Sequence, residues 1–302
     1  MFLHYRADLR SIAMVAAALS AMGLQWSGAL RSPLFFAATC SLAFIACVVN
    51  HNHQHCPTFV PPALNRIFGC LLSLATGQPA IAIVPMHNLN HHVHTSTARD
   101  HVRASLVAFR WNLLNLLAFP FIALAGYARV KQQEMARWRG AEGRVLPRLH
   151  AQLRLERAVL YSLLAVLLAA RPLETLLYLL VPQLFGQWAI VAINLVQHDG
   201  CPPGRDGAHG RRAQGRDFVG RWLNWWLFNN GFHTVHHWRP GLHWSRLPEL
   251  HARVRGELDL RFEHRSLAVA LFKLYVWPGR RPQPVESPRT QNAPMEKGAA
   301  PT

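Results

Sequence analysis

The sequence has few charged residues and no pair of cysteines at the spacing of a metal site. Charged residues make up 16% of the 302 residues, below the roughly 25% that is usual for soluble domains. The cysteines are odd in number and form no CxxC motif, so we interpret them as reduced packing residues: Cys40, Cys47, Cys56, Cys70 and Cys201. Apolar residues gather in long runs, which indicates a membrane protein rather than a uniformly weakly charged soluble one.

These runs predict an all-α integral membrane protein with about four transmembrane helices arranged as two hairpins. Each run is near the length that spans a bilayer, and we place the spans at residues 11–30, 34–50, 155–170 and 173–197. Residues 63–86 are interrupted by Pro79 and Pro85, so we expect a re-entrant or in-plane segment there. Residues 105–128 are typical of an interfacial helix.

Arginine-rich segments set the expected orientation. The net charge is +17, and residues 129–157 carry so many arginines that the positive-inside rule places them in the cytoplasm. We therefore expect a bacterial-type inner-membrane protein with both termini and a helical cap on the cytoplasmic side. Residues 1–277 form the membrane domain, and residues 278–302, rich in Pro and Arg, are expected to be disordered. A nucleic-acid binder is excluded, because the arginines do not alternate with a soluble aromatic surface.

Histidine is the residue that the chain has in excess, with 18 in total. Most of them fall into four clusters, each predicted at the cytoplasmic end of a span or in a cytoplasmic segment: His51–His55, His87–His92, Asn194–His198 and His233–His237. Residues three or four apart share one face of a helix. The spacing therefore lets His51 with His55, His87 with His91, and His233 with His236 and His237 bind a common metal ion.

About nine imidazoles on one side of the membrane are too many for a single ion, so we predict two. Imidazole suits Fe, Zn, Cu and Ni, and the residues alone leave the metal open. His53 lies on the opposite helical face from His51, and His94 is ambiguous in register. The other histidines are interpreted as solvated or as hydrogen-bond partners of the ligands: His4, His101, His150, His209, His251 and His264.

The clusters resemble the three histidine boxes of the membrane fatty-acid desaturase and alkane hydroxylase superfamily. The forms HxxxH, HxxxHH or HxxHH, and HxxHH match His51/His55, His87/His91/His92 and His233/His236/His237. The family's additional ligand before the third box is matched by Asn194 and Gln197-His198. The stretch HHWRPGLHWSRLPELH, which begins at His236, follows the family's pattern after that box. The resemblance covers roughly residues 45–255.

The resemblance implies a non-haem di-iron centre that activates O2 and oxidises an unactivated C–H bond of a fatty-acyl or related lipid chain. It places Asn194 near one iron and implies nine iron ligands: His51, His55, His87, His91, His92, His198, His233, His236 and His237. No HPGG element of a fused cytochrome b5 is present in the sequence, so a separate ferredoxin- or rubredoxin-type donor is implied. The basic segments 129–157 and 205–221 fit an acidic donor, or else topology and anionic lipid.

Carboxylates near the boxes are candidates to orient the histidines, namely Asp100, Asp199 and Glu249. Desaturation is the favoured outcome. Hydroxylation, ketolation, or oxidative decarboxylation to a 1-alkene on the same site stays open, because the outcome depends on how the substrate lies. A metal- or haem-transporting membrane protein is disfavoured, because its histidines would line the spans. Four tryptophans are candidates for the substrate tunnel or for interfacial anchors: Trp111, Trp188, Trp225 and Trp226.

Overall fold

Two long apolar helices open the chain in the computed structural model, which describes residues 2–140, 145–202 and 214–279, without the side chains of 129–140 and 145–147. Helix α1 spans Asp8–Ser27 and helix α2 spans Pro33–His55. The Ser32 hydroxyl caps α2 by accepting the Phe35 backbone N–H at 3.1 Å. Helix α2 continues beyond the predicted end at residue 50, so the first histidine box is its last turn.

The next segment is helical and sharply bent. Helix α3, Pro62–Thr76, and helix α4, Ala80–His94, meet at 79°. Gly77 ends α3 with a φ of 72°, a left-handed conformation that glycine adopts without steric cost. Helix α4 begins as a 3-10 turn over Ala80–Ile83 and contains a π-helical turn at His87–His91. The bend suits a broken span or the predicted re-entrant segment.

Three more long helices follow: α5 at Asn112–Gly140, α6 at Val145–Ala170 and α7 at Pro172–His198. Within the described residues, α1, α2 and α7 are long and apolar enough to cross a membrane, and the bent pair α3–α4 would make a fourth. The predicted span at 155–170 is helical, but α6 is not among these candidates. Arg154, Glu156 and Arg157 lie in its first half and leave a short apolar stretch.

Short elements make up the rest of the described chain. They are β1 (Asp217–Phe218), α8 (Arg221–Trp226), α9 (His233–Trp238), α10 (Leu247–Val254), β2 (Glu263–His264) and α11 (Leu267–Val276). Strands β1 and β2 pair in parallel, with Asp217 opposite Glu263. The all-α prediction is wrong in this detail, because two-residue strands are too short to give a periodic signal. The predicted tail lies outside the described residues from residue 280 onward.

Helix α2 is the central helix, packed against α1, α3 and α7. Helix α7 approaches closely at Gly186, where a Cβ atom would stand 2.8 Å from the Ala43 carbonyl carbon. Polar side chains also join the helices: the Gln183 amide donates to the Leu74 carbonyl at 2.7 Å, and the Gln25 amide donates to the Thr39 hydroxyl at 2.6 Å. Such packing of small residues and internal hydrogen bonds is what holds helices together in lipid. It brings the C-terminal ends of α2 and α7, with their histidines, side by side.

Candidate metal centre

The structure gathers all nine histidines of the predicted ligand set into one buried cluster. Eight of them form two groups whose ligand nitrogens lie within 4.8 Å of one another. We name them the first histidine group, His51, His55, His87 and His236, and the second histidine group, His91, His198, His233 and His237. Each group draws on three separate helices, so the fold creates sites that no single sequence segment contains.

The way the boxes divide between the groups differs from the sequence prediction. His51 and His55 share a group, as their spacing predicts, but His87 belongs to the first group and His91 to the second. The π-helical turn explains the difference. A π-turn bonds residue i to residue i+5, and the His91 N–H indeed bonds the Met86 carbonyl at 2.9 Å. The extra residue in the turn rotates His91 relative to the register of an ordinary helix.

The third box divides in a similar way. His233 and His237, four residues apart on α9, lie in the second group, whereas His236 lies in the first. The expectation that His233 and His236 share an ion is therefore wrong. Neighbouring residues of a helix project about 100° apart, so His236 and His237 face different directions. Helix α9 thus contributes to both groups.

His92 lies outside both groups of four but is in contact with each. Its Nε2 is 3.0 Å from His87 Nε2, and its ring centroid is 4.3 Å from that of His237. His92 follows His87 by five residues, the spacing that a π-turn places one turn apart. The same local widening therefore separates His91 from His87 and brings His92 beside His87.

The protonation pattern of the second group fits a cation. Asp100 lies 3.0 Å from His91 Nδ1, so this ring donates Nδ1–H to the carboxylate and keeps a lone pair on Nε2. The Thr95 hydroxyl donates to the His91 carbonyl and lies 3.2 Å from His237 Nδ1. Its oxygen is therefore free to accept the His237 Nδ1–H. Both rings then direct an unprotonated Nε2 into the group, where a cation would satisfy the lone pairs.

Nitrogen spacing and burial agree with this assignment. The Nε2 atom of His198 lies 3.2 Å from that of His91 and 2.8 Å from that of His233. Nitrogens on opposite sides of one ion stand about 4.2 Å apart at a bond length of roughly 2.1 Å, so ring shifts of less than an ångström suffice. His55 Nε2 is buried without a hydrogen-bond partner among the described residues, which leaves it free for an ion. The donors are all imidazole, which suits Fe, Zn, Cu or Ni.

Burial favours the neutral form of His236 and His237, the form that binds metal. It lowers the pKa of His236 and His237 well below the ordinary histidine value, and the neighbouring imidazoles lower these pKa values further. Asp100 behaves in the opposite sense. Burial raises its pKa, but His91 and two backbone N–H groups outweigh this, so the net pKa lies below the ordinary value. A carboxylate that accepts a hydrogen bond from a histidine ring is the arrangement that orients metal-binding histidines.

Of the three carboxylates predicted to orient histidines, Asp100 accepts a hydrogen bond from one of the nine, His91. Asp199 accepts the Tyr275 hydroxyl at 3.2 Å and so fastens the end of α7 to α11. Glu249 is exposed and pairs with Arg246 and Arg253. Two polar contacts were missed from the sequence, Thr95 with His237 and the Asn88 amide with His55 Nδ1 at 3.2 Å. Asn88 lies within the second box and Thr95 lies shortly after it, so their position near the box was the sequence signal for these contacts.

The remaining histidines lie outside both groups. His53 Nδ1 is 3.0 Å from the Thr58 hydroxyl, and His94 is half-buried in α4. His251 is buried beside Glu263 at 3.4 Å, and His264 bonds the Arg216 guanidinium at 3.0 Å. His243, which the sequence left unassigned, is buried and bonds Asp8 at 3.1 Å. It ties the N-terminal helix to the segment that follows the third box. His209 lies outside the described residues.

A cavity of about 250 Å³ opens onto both histidine groups from the helix bundle. It reaches His51, His87 and His233, and its walls include both aliphatic side chains and amides. Asn194 is among them, and its amide donates to the Val102 carbonyl at 3.3 Å. The four tryptophans considered for a tunnel do not line it, and Trp111, Trp225 and Trp226 are exposed, as membrane-interface anchors are.

A second cleft, of about 750 Å³, approaches the cluster elsewhere. His92 and His237 lie at its inner end, and none of the histidines that reach the first cavity border it. Its outer border carries Arg239, Arg246 and Arg253. The histidine cluster is thus reached by two openings of different chemical character.

Helices of membrane-spanning length that hold two buried histidine groups define a membrane protein with a candidate two-metal centre. A search among curated proteins finds no match to the chain. The family model for fatty acid desaturases matches residues 24–266, which include every histidine of both groups. The chain belongs to the fatty acid desaturase family, as its boxes predicted.

Proposed function

We propose that the chain is an O2-dependent di-iron enzyme that oxidises an unactivated C–H bond of a fatty-acyl chain, with desaturation as the first candidate outcome. The observation that carries this proposal is the pair of four-histidine groups beside a partly aliphatic cavity. Membership of the fatty acid desaturase family supports the acyl substrate and the oxidative chemistry. A transporter would place its histidines along a transmembrane path, whereas these are gathered at helix ends.

The two histidine groups would each hold one iron, and His92 would complete the set of nine ligands. Asn194 would stand near one ion, since it shares the cavity with His51, His87 and His233. Bound iron would supply the activation of O2 needed to remove hydrogen from an unreactive carbon. The protein's own part is to hold the imidazoles neutral and oriented, through burial, Asp100 and Thr95.

The cavity would receive the acyl carbons that react. Ile83, Ile190 and Val191 supply apolar wall, and Cys47 lies close to the histidines. Apolar wall favours a methylene chain over water, and it would also protect the reaction from side reactions with water. For desaturation, the substrate gives up two hydrogen atoms to form C=C. One O2, those two hydrogens, two electrons and two protons become two waters.

The arrangement in the membrane is also part of the proposal. We infer four spans as two hairpins, with α6 as the shorter arm of the second, in a bacterial-type inner membrane. The histidine-bearing ends of α2 and α7 would face the cytoplasm, where a ferredoxin- or rubredoxin-type donor is available. Supporting this, α2 and α7 both end in histidines that enter the cluster. Cysteine accessibility at Ala29, in the turn between α1 and α2, and at Arg265, beyond the third box, would test the orientation, because the two positions should be labelled from opposite sides of the membrane.

Product analysis and metal content together test the function. Cells that express the chain should accumulate new internal double bonds in their acyl lipids; new alcohols or volatile 1-alkenes would assign the other outcomes of the same site. Purified protein should hold about two irons per chain. The changes His91→Ala and His237→Ala should each abolish product and reduce iron, whereas His264→Ala should preserve both. One zinc per chain with no oxidised lipid would refute the proposal.

A further inference from the structure

The cleft at the third box has the form and charge of a docking site for an electron carrier. It is about 750 Å³ in volume, and its inner end is formed in part by His92 and His237. His237 belongs to the second histidine group, and His92 lies 3.0 Å from His87 of the first group. A partner seated in this cleft would therefore lie close to rings that border both groups.

The charge of the outer border is strongly one-sided. Arg239, Arg246 and Arg253 are exposed there with one carboxylate, Glu249, so three cations less one anion leave a net charge of +2. Glu249 is shared between Arg246, at 3.0 Å, and Arg253. Arg239 has no carboxylate partner among the described residues. This arginine can therefore pair with an acidic group on a partner at no cost to an internal ion pair.

The two openings differ in the chemistry of the residues that line them. The first cavity reaches His51, His87 and His233 and has the aliphatic wall that an acyl chain requires. The cleft reaches two other histidines and is bordered by arginines and by Trp238. Positive charge at an opening does not attract a methylene chain, whereas it both attracts and orients an acidic protein.

We propose that the cleft bordered by Arg239, Arg246 and Arg253 is the docking surface for a small acidic iron–sulfur protein, which delivers electrons through His92 and His237. This inference rests on the proposed function. Each turnover takes one electron from each of two reduced carriers; with two hydrogens of the substrate and two protons, these reduce one O2 to two waters. The sequence alone pointed instead to residues 129–157 and 205–221, much of which lies outside the described side chains.

The test uses full-length, iron-loaded protein in lipid nanodiscs and a plant-type [2Fe–2S] ferredoxin as the probe. Binding is measured by biolayer interferometry at low salt, and iron reduction by stopped-flow absorbance. The double change Arg239→Glu and Arg246→Glu should lower the rate constant for reduction by ferredoxin at least tenfold, within the range of electrostatic steering, about 10–10³. The neutral pair Arg239→Gln and Arg246→Gln should fall in between. Arg265→Glu, a reversal at an exposed residue that does not border the cleft, should change it less than twofold.

Reduced methyl viologen separates this proposal from the proposed function. It is a small cation that needs no docking surface, so it should reduce the iron of every variant at the wild-type rate. If wild-type protein holds no iron that methyl viologen can reduce, the proposed function itself fails. If methyl viologen reduces all variants but ferredoxin binds and reduces the double variant as it does the wild type, the docking surface is refuted. Loss of binding to anionic vesicles with unchanged reduction by ferredoxin would likewise refute it, in favour of a lipid site.

Discussion

Replacing Asp100 with asparagine tests how the second histidine group is oriented. One Asp100 oxygen accepts from both His91 Nδ1, at 3.0 Å, and the Ser96 backbone N–H, at 3.0 Å; the other accepts the Val102 N–H at 2.9 Å. The carboxylate thus meets three donors, and its residue is 1% exposed. Whichever way an asparagine amide is turned, its NH2 group faces at least one of them. The substitution keeps the volume, removes the negative charge and replaces one acceptor oxygen with an NH2 donor.

The size of the effect follows from that geometry. If the NH2 group faces His91, the ring shifts its proton to Nε2, and the lone pair that binds the ion is lost. Loss of such an orienting group typically lowers metal affinity 10- to 100-fold, equivalent to about 1.4–2.8 kcal/mol. If the NH2 group faces Val102 instead, the loop loses a buried hydrogen bond, at about 1–3 kcal/mol. Either way, we expect Asp100→Asn to fold and to release iron more readily.

The assay is iron retained per chain across a series of chelator concentrations, measured by plasma mass spectrometry beside thermal unfolding. Glu174→Gln is the matched control, an acid-to-amide change in the first turn of α7, where Glu174 pairs with Arg31 at 3.4 Å. It should retain iron as the wild type does. Retention by Asp100→Asn that equals the wild type would mean that Asp100 does not orient His91.

Three further changes probe the rest of the site. Thr95→Val removes the oxygen that lies 3.2 Å from His237 Nδ1 and should lower iron affinity by less than Asp100→Asn; an equal or larger loss in the same chelator assay would contradict this ranking. Gly186→Val would place a Cβ 2.8 Å from the Ala43 backbone and should cost more than the usual 1–3 kcal/mol of overpacking in thermal unfolding. Its control is Gly23→Val, where a Cβ meets nothing within 4 Å, and equal melting of the two variants would refute the close approach. Cys47→Trp should fill the cavity beside the histidines and abolish lipid oxidation with iron content intact; unchanged product would show that the acyl chain binds elsewhere.

The sequence predicted the membership of the site better than its internal arrangement. Spacing of three and four residues and the positions of helix ends predicted a cluster of about nine imidazoles, and the resemblance to the histidine boxes named the nine, all of which lie in one cluster. The same spacing rule paired His87 with His91, which the structure separates. The spacing rule assumes an ordinary α-helix, and no residue in the second box indicates a π-turn. The turn depends on tertiary packing around α4, which periodicity does not report.

A similar limit applies to the carboxylates. Asp100, Asp199 and Glu249 were equivalent candidates in the sequence, each within reach of a histidine along the chain. Asp100 is distinguished by the turn between Thr95 and Val102, which folds the carboxylate back over His91. The position of the Asp100 carboxylate depends on backbone hydrogen bonds within this turn. The turn has no helical or strand periodicity from which that position could be predicted. Glu249 lies on a regular helix, yet there it faces solvent and two arginines.

Composition alone was enough to predict three of the long apolar helices. Helices α1, α2 and α7 are long and apolar enough to cross a membrane, and each contains most of its predicted range. Helix α6 was the exception, because Arg154, Glu156 and Arg157 in its first half leave only a short apolar stretch. In the structure Glu156 is 1% exposed, and its carboxylate accepts the Ile81 N–H at 2.9 Å. A charge that appears to end a membrane helix instead caps the first turn of α4, the helix that carries the second histidine box.

The two openings bear on what determines the reaction outcome. Alkene, alcohol and 1-alkene formation need the same ions and the same two electrons, so the ligands cannot distinguish among them. The first cavity can, because it fixes which carbons come nearest the histidines, and its amide groups provide places for a polar end of the substrate.

Gln187 donates to the Thr76 carbonyl at 2.8 Å and Gln197 donates to the Asn230 carbonyl at 2.9 Å. The NH2 groups of both side chains are thus engaged, and their carbonyl oxygens are the acceptors that a substrate with a hydrogen-bond donor near its reactive carbons could use. Variation of these two glutamines should alter the product distribution more than any change at the arginine-bordered cleft, which we propose as the docking surface of the electron donor; gas chromatography of the lipids from each variant measures this.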